Sequence, residues 1–232
     1  MIKDNILKVK ERISLICARI NREVSSVSIV AVSKGRTPQQ IKEVIEAGIT
    51  DIGENKVQEA LTKHRELSTG DWRLSTVKWH MVGHLQTNKV KDAVRIFDLI
   101  QSVDSLRLAE TIDKEAAKIH KRQDVLMEIK TSPEATKFGL KPGEAIKVME
   151  EIANLKNINI KGLMTIAPLV DSPEKARSYF KVLKDLKDKI NARRTTHDEI
   201  QILSMGMTDD FEIAIEEGSD ILRLGRAIFS RY

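Results

Sequence analysis

Apolar positions along the chain recur with two spacings, and these alternate from one end to the other. The opening segment carries apolar residues at steps of three and four, which predicts an amphipathic helix that includes Ile6, Val9, Ile13, Ile16, Cys17 and Ile20. Short apolar runs rich in β-branched residues follow, and they predict strands at Val27–Lys34, Thr50–Gly53, Lys78–Gly83, Asp98–Val103, Asp124–Lys130, Ile158–Ile166, Ile200–Gly206 and Ile221–Leu224. Helical spacing between them predicts helices at about Pro38–Ala47, Lys56–Leu67, Leu85–Arg95, Ser105–Lys121, Pro142–Asn154, Pro173–Ala192 and Asp209–Glu217.

The regular alternation of strand and helix indicates a parallel sheet with right-handed crossovers. Eight strands favour closure into a (β/α)₈ TIM-type barrel over an open doubly wound sheet. No stretch rich in Pro, Gly or Ser divides the chain. We therefore predict a single α/β barrel domain over residues 1–232, with the first helix added as a lid or brace.

Composition narrows the classes of protein that this chain can represent. It has 232 residues, of which 41% are hydrophobic and 31% charged, as in ordinary soluble proteins. The net charge of +5 comes from lysines interspersed with acidic residues, and aromatic residues make up only 4%, so we expect no nucleic-acid partner. No apolar run approaches the ~20 residues of a membrane helix. The lone Cys17 and a start that lacks a signal-peptide pattern favour the cytoplasm.

Lys34 follows the first predicted strand, and barrels place their chemistry where strands end. A lysine that is partly desolvated at such a position forms Schiff bases with aldehydes and ketones. An ordinary solvated lysine is the alternative. A zinc site is not expected, because the pair His80 and His84 has no evident third ligand.

The ends of the last two strands predict a phosphate site. Glycines at Gly206 and Gly225 lie before helical segments, where backbone N–H groups face an anion, and Arg223 and Arg226 add positive charge. The alternative is that these glycines only form tight turns. In a closed barrel the first and last strands are neighbours, so the Lys34 amine faces the phosphate site. That arrangement suits pyridoxal phosphate (PLP), whose aldehyde and phosphate lie on different sides of one ring.

Several segments, in this order along the chain, resemble the pyridoxal phosphate homeostasis proteins, which are similar to the barrel domain of alanine racemase. The segments are Ala31-Val32-Ser33-Lys34, Gly53-Glu54-Asn55, Trp79-His80, Gly83-His84-Leu85-Gln86-Thr87-Asn88-Lys89, Gly162-Leu163-Met164, Leu203-Ser204-Met205-Gly206-Met207 and Arg223-Leu224-Gly225-Arg226-Ala227-Ile228-Phe229. The resemblance extends from about Asn5 to Phe229.

The resemblance implies a set of cofactor contacts. Lys34 matches the lysine that holds PLP as a covalent aldimine, and Arg223 matches the arginine that faces the pyridine nitrogen. Asn55 and His80 match residues that line the pocket near the ring. The positions that match the phosphate cradle are Ser204, the backbone of Met205 and Gly206, Gly225 and Arg226. Arg226 departs from the family, which often has threonine or another small residue there.

The implied function is PLP homeostasis, in which the protein holds the cofactor and hands it to apo-enzymes without substantial turnover. An arginine does not give up its proton, so Arg223 leaves the pyridine nitrogen unprotonated and the ring a weak electron sink. The alternative is an amino-acid racemase, which needs a second base, and the tyrosines here are Tyr179 and Tyr232. A Schiff-base aldolase on a phosphorylated sugar is a third reading that residue spacing alone does not separate. We expect a monomer.

Overall fold

In the computed structural model, parallel strands form a closed barrel in chain order. The structure describes residues 1–68, 76–134, 138–193 and 199–230. Its strands are β1 (Ser28–Val32), β2 (Asp51–Glu54), β3 (Lys78–Met81), β4 (Leu99–Val103), β5 (Gln123–Glu128), β6 (Ile158–Met164), β7 (Ile202–Ser204) and β8 (Ile221–Leu224). The α-helices of the described residues are α1 (Ile2–Arg19), α2 (Pro38–Glu46), α3 (Val57–Leu67), α4 (Val90–Ile96), α5 (Leu106–Ala117), α6 (Pro142–Ile152), α7 (Arg177–Arg193), α8 (Phe211–Glu216) and α9 (Arg226–Phe229). The predicted (β/α)₈ class is confirmed.

Apolar side chains form a large main core and a second, smaller cluster. The main core lies between the sheet and the surrounding helices, and β4 is buried at every position. A smaller apolar cluster includes Val30, Leu99, Leu126 and Met164 from strands around the barrel. Burial on both faces explains why these strands appear in the sequence as continuous apolar runs.

The first helix braces the outside of the barrel where the ring of strands closes. It packs against α2, α8 and α9, and β1 pairs with β8 beneath them. The Asn5 side-chain amide donates to the carbonyls of Ile228, at 3.0 Å, and Ser230, at 2.9 Å. These bonds satisfy carbonyl groups at the end of α9 that have no partner within the helix. The helix is thus a brace, the second of the two predicted roles.

Element boundaries differ from the predictions mainly at strand ends and in one helix. β1 ends at Val32, so Lys34 lies in the turn beyond the strand. The fourth helix begins at Val90 and not at Leu85, because Gln86 has an extended backbone and a short 3₁₀ turn, Thr87–Lys89, precedes the helix. No helix in the described ranges is long and apolar enough to cross a bilayer.

Candidate ligand site at the carboxyl end of the barrel

Lys34 occupies a tight turn immediately after β1. The Arg36 N–H donates to the Ser33 carbonyl at 2.9 Å, and Gly35 has a φ of +68°, a conformation that glycine adopts without strain. The Lys34 side chain is exposed, and its amine makes no ion pair or hydrogen bond with the described residues. The residue lies in the turn beyond the strand, and its partial desolvation stays a prediction.

The loops after β7 and β8 present unpaired backbone donors. The N–H groups of Gly206, Gly225 and Arg226 make no hydrogen bond to the described residues. Gly206 has a φ of +91°, which turns the chain sharply at the end of β7. The adjacent Ala227 N–H donates to Thr208 Oγ1 at 3.2 Å and so ties the two loops together. Clustered N–H groups of this kind bind anions.

Two of the predicted phosphate donors are already used within the barrel. The Met205 N–H donates to the Ile221 carbonyl at 3.2 Å, because it continues the ladder between β7 and β8. The Ser204 hydroxyl points inward and donates to Gln101 Oε1 at 2.6 Å. The Arg226 guanidinium pairs with Asp209 at the surface. Of the predicted phosphate cradle, the N–H groups of Gly206, Gly225 and Arg226 are the donors left without a partner among the described residues.

A chain of hydrogen bonds crosses the barrel interior in a single direction. Arg223 Nη1 donates to Ser204 Oγ at 2.7 Å, and Ser204 in turn donates to Gln101. The Gln101 amide Nε2 lies 2.9 Å from His80 Nδ1, and His80 Nε2 lies 2.9 Å from Asp51 Oδ1. Because an amide nitrogen can only donate, His80 accepts at Nδ1 and donates from Nε2 to Asp51. The relay links a cation on β8 to a carboxylate on β2.

Arg223 is a buried cation at the head of this relay. Its Nη2 also donates to the Thr165 carbonyl at 2.7 Å. Burial lowers the pKa of Arg223 to about 10, while the charges of Asp210 and Glu128 act in the opposite direction. The guanidinium therefore remains protonated at neutral pH and can donate hydrogen bonds to a ligand but cannot accept them.

Glu128, the last residue of β5, is a buried acid that the sequence reasoning missed. Burial, together with the negative charge of Asp104, raises its pKa to about 7 although the Arg223 charge acts in the opposite direction. A carboxyl group that titrates near neutrality changes the charge around Arg223 within the physiological pH range.

Of the two residues predicted to line the ring, Asn55 lies free near the barrel mouth and His80 lies in the relay. The Asn55 side chain makes no hydrogen bond to the described residues. Its backbone packs so closely on Gly83 that a Cβ there would lie 2.5 Å from the Asn55 carbonyl oxygen. Both ring nitrogens of His80 are already bonded, so His80 has no free nitrogen to offer a ligand.

Sequence reasoning missed Gln101 and Asp51, which complete the relay. Gln101 is a fully buried polar residue in the middle of strand β4, where Ser102 is the neighbouring buried polar residue. A glutamine at an inward position of a barrel strand requires partners for its amide, and this signal is visible in the printed sequence. Asp51 begins β2 and carries no comparable signal.

Comparisons with known proteins identify the family and the fold of this chain. A model of the alanine racemase N-terminal domain family matches residues 7–232. A pyridoxal phosphate homeostasis protein of Aquifex aeolicus is 39% identical over 226 residues, which cover 97% of this chain and 96% of that protein. The structure of PipY from Synechococcus elongatus PCC7942 with PLP bound is 30% identical, has a TM-score of 0.86, and covers 99% of this chain and 100% of that one.

A more distant match shows the fold alone. The alanine racemase of Clostridium difficile 630 has a TM-score of 0.74 at 16% identity, over 96% of this chain and 57% of that one. Fold and family model together define an alanine racemase-type barrel. Within that class, the chain belongs to the pyridoxal phosphate homeostasis protein family. The resemblance predicted from the motifs is thus confirmed.

Proposed function

We propose that this chain binds PLP at the carboxyl end of its barrel and serves PLP homeostasis by holding the cofactor and passing it to apo-enzymes. Two neighbouring features carry the proposal. Lys34, after β1, has an exposed amine with no partner among the described residues, and the loop after the adjacent strand β8 has backbone N–H groups that make no hydrogen bond to those residues. The relatives described above supply the functional context, since one is named for PLP homeostasis and another was solved with PLP.

The residues fit the groups that PLP presents. The N–H groups of Gly206, Gly225 and Arg226 would hold the phosphate, and Arg223 would donate to the pyridine nitrogen. Asn55 lines the pocket, and His80 acts through Gln101. When PLP is bound, its aldehyde supplies an electrophile for the Lys34 amine. The Lys34 amine would hold this aldehyde covalently with the loss of one water, and the addition of one water would release it.

The same site is poorly equipped for turnover, so we propose that the protein is not an enzyme. Arg223 holds its proton and leaves the ring nitrogen unprotonated, which weakens the ring as an electron sink. Racemisation also needs a base on each face of the substrate. Tyr179 lies on the outer helix α7, packed against the main core, and Tyr232 lies outside the described residues.

The proposal includes one barrel domain over residues 1–232, acting as a monomer in the cytoplasm. The single cysteine, Cys17, is buried on α1, which suits a reducing compartment.

The direct test is the visible absorbance spectrum of the purified protein with added PLP, before and after borohydride. We expect a yellow Schiff-base band that borohydride fixes covalently in the wild type and that is absent in Lys34→Ala. Lys56→Ala is the matched control, because Lys56 is another exposed lysine at the same end of the barrel, after β2. This control should retain the band.

Each other outcome contradicts a part of the proposal. A covalent adduct that persists in Lys34→Ala would assign the cofactor to another lysine. No band in any of the proteins would discard PLP binding and favour the aldolase, which works without the cofactor. Amino-acid racemisation at enzyme-like rates, lost in Lys34→Ala, would favour the racemase.

A further inference from the structure

Three charged side chains contact the turn that carries Lys34, two of them through its backbone and one through the Ser33 hydroxyl. Lys63 of α3 lies 2.7 Å from Glu54 Oε1 and 2.6 Å from Glu59 Oε1. Glu59 and Lys63 are one helical turn apart, and Glu54 ends β2, the neighbour of β1. Glu54 is fully buried, and the Lys63 side chain is only 6% exposed. We call Glu54, Glu59 and Lys63 the turn clamp.

The turn clamp holds the peptide groups on both sides of Lys34. The Lys63 amine donates to the Ser33 carbonyl at 2.6 Å, and Glu59 Oε1 accepts from the Gly35 N–H at 2.5 Å. These two groups belong to the peptide planes before and after the Lys34 Cα. The torsions φ and ψ of a residue are rotations relative to those two planes. Fixing both planes therefore fixes the direction of the Lys34 Cα–Cβ bond, from which the side chain extends.

A third contact anchors the turn to β2. The Ser33 hydroxyl donates to Glu54 Oε1 at 2.5 Å, beside the bond from Lys63. Burial raises the pKa of Glu54, although hydrogen bonds from Lys63 and Ser33 act against this rise. Burial also acts to raise the pKa of Glu59, but hydrogen bonds from Lys63 and the Gly35 N–H outweigh it and lower that pKa.

Stability alone is a weak reason for the turn clamp. A buried ion pair is seldom more stabilising than apolar side chains of similar volume, because both charges lose their hydration. Here all three donors of the Lys63 ammonium are engaged, two by carboxylates and one by the Ser33 carbonyl. The other oxygen of Glu54, Oε2, is buried without a partner among the described residues. The buried charges of the turn clamp are therefore arranged around a single turn, although apolar side chains could fill the same volume.

We propose that Lys63, with Glu54 and Glu59, is a positioning residue for Lys34 that directs its amine to the ligand aldehyde. This inference rests on the proposed function and adds a residue to it. Nucleophile and aldehyde must meet at a defined distance and angle, and a mobile turn lowers the fraction of productive encounters. The turn clamp accordingly affects the formation of the carbon–nitrogen bond more than the binding of the phosphate.

The test compares PLP with pyridoxine 5′-phosphate, which has the same phosphate and ring but an alcohol in place of the aldehyde. In Lys63→Met we expect Schiff-base formation with PLP to slow by about tenfold to a hundredfold. The affinity for pyridoxine 5′-phosphate should be unchanged. Lys118→Met is the matched control, since Lys118 pairs with Glu115 on the exposed face of α5. It should alter neither quantity.

A second variant covers the case in which Lys63→Met does not fold, because that change leaves Glu54 buried without its cation. Glu59→Ala removes the acceptor of the Gly35 N–H and one of the two carboxylates on Lys63, but Glu54 keeps its cation. The Glu59 side chain is 29% exposed. We expect this variant to slow Schiff-base formation by about threefold or more, again with unchanged pyridoxine 5′-phosphate affinity.

The outcomes separate the positioning role from the proposed function itself. A wild type that forms no Schiff base refutes the proposed function. A wild type that forms it, with variants that form it equally fast, refutes the positioning role. Loss of pyridoxine 5′-phosphate binding in each folded variant also refutes it, because the turn clamp would then only maintain the fold.

Discussion

At the scale of single residues, the site depends on buried polar groups that are hydrogen-bonded to one another. Arg223, Ser204, Gln101 and His80 each contribute donors or acceptors to the relay, and within the described part of the chain none of their side chains has a buried polar atom without a partner. Buried hydrogen-bond chains strengthen one another in a low-dielectric interior, whereas a single missing partner is costly. The relay thus holds the Arg223 guanidinium in one orientation without relying on a counter-charge in direct contact.

Glu128 leads to a pH-dependent prediction at this scale. Its folded pKa of about 7 lies above the ordinary value of 4.5, so between these values the folded protein binds more protons than the unfolded chain. The stability contributed by the protonated form is complete below about pH 4.5 and is lost as the pH rises through about 7. The glutamine of Glu128→Gln does not ionise. As the pH rises from about 4.5 to about 7, we therefore expect the unfolding free energy of this variant to increase relative to that of wild type by as much as about 3 kcal/mol.

Urea denaturation at about pH 5 and about pH 8 measures this difference, and Gln cannot titrate. Glu110→Gln is the control, because Glu110 lies exposed on α5, and its difference from wild type should be the same at both pH values. A Glu128→Gln difference that does not change with pH would show that burial does not perturb this acid.

At the scale of elements, the short loops after the strands determine which backbone donors are free. Gly206 both turns the chain after β7 and approaches α8 closely. A Cβ at this position would lie 2.5 Å from the Ala214 Cβ. The loop therefore needs glycine for space as well as for its positive φ, and its free N–H groups depend on both.

Gly206→Ala tests this account, with Gly218→Ala as its control. Gly218 has a φ of +95° but open space where a Cβ would project. Both variants carry the backbone cost of about 1–2 kcal/mol, and Gly206→Ala adds about 1–3 kcal/mol of steric strain. We expect only Gly206→Ala to weaken binding of pyridoxine 5′-phosphate, by about tenfold or more. Calorimetry measures the binding, and unfolding curves measure the stability of each variant. Equal binding in the two variants would contradict the role of this loop.

The elements were predictable from the sequence to different extents. The alternation of strands and helices and the β8 boundaries were evident because the spacing of apolar residues specifies them. The relay was not, because Ser204 on β7 and Gln101 on β4 meet only across the interior of the closed barrel. The engagement of the Met205 N–H was equally hidden, since it depends on the register between β7 and β8.

At the scale of the whole molecule, the two ends of the barrel have different roles. At the end where strands begin, the Lys10 amine of α1 donates to the Ala47 carbonyl, after α2. At the opposite end, the Lys34 turn and the free N–H groups of the β7 and β8 loops lie open. The proposed carrier role requires this difference between the two ends, because the rigid barrel must hold the ligand at an open site from which the ligand can also dissociate.

The most direct test of the carrier account is transfer of the cofactor from the PLP-loaded protein to an apo-enzyme that requires PLP. We expect the loaded wild type to restore the activity of the apo-enzyme, and the borohydride-reduced protein to restore none, because reduction makes the bond to Lys34 permanent. The loaded protein itself should not racemise amino acids at the ~1 s⁻¹ or more that is typical of enzymes. Failure of the unreduced protein to restore activity, or turnover at such rates, would contradict the account.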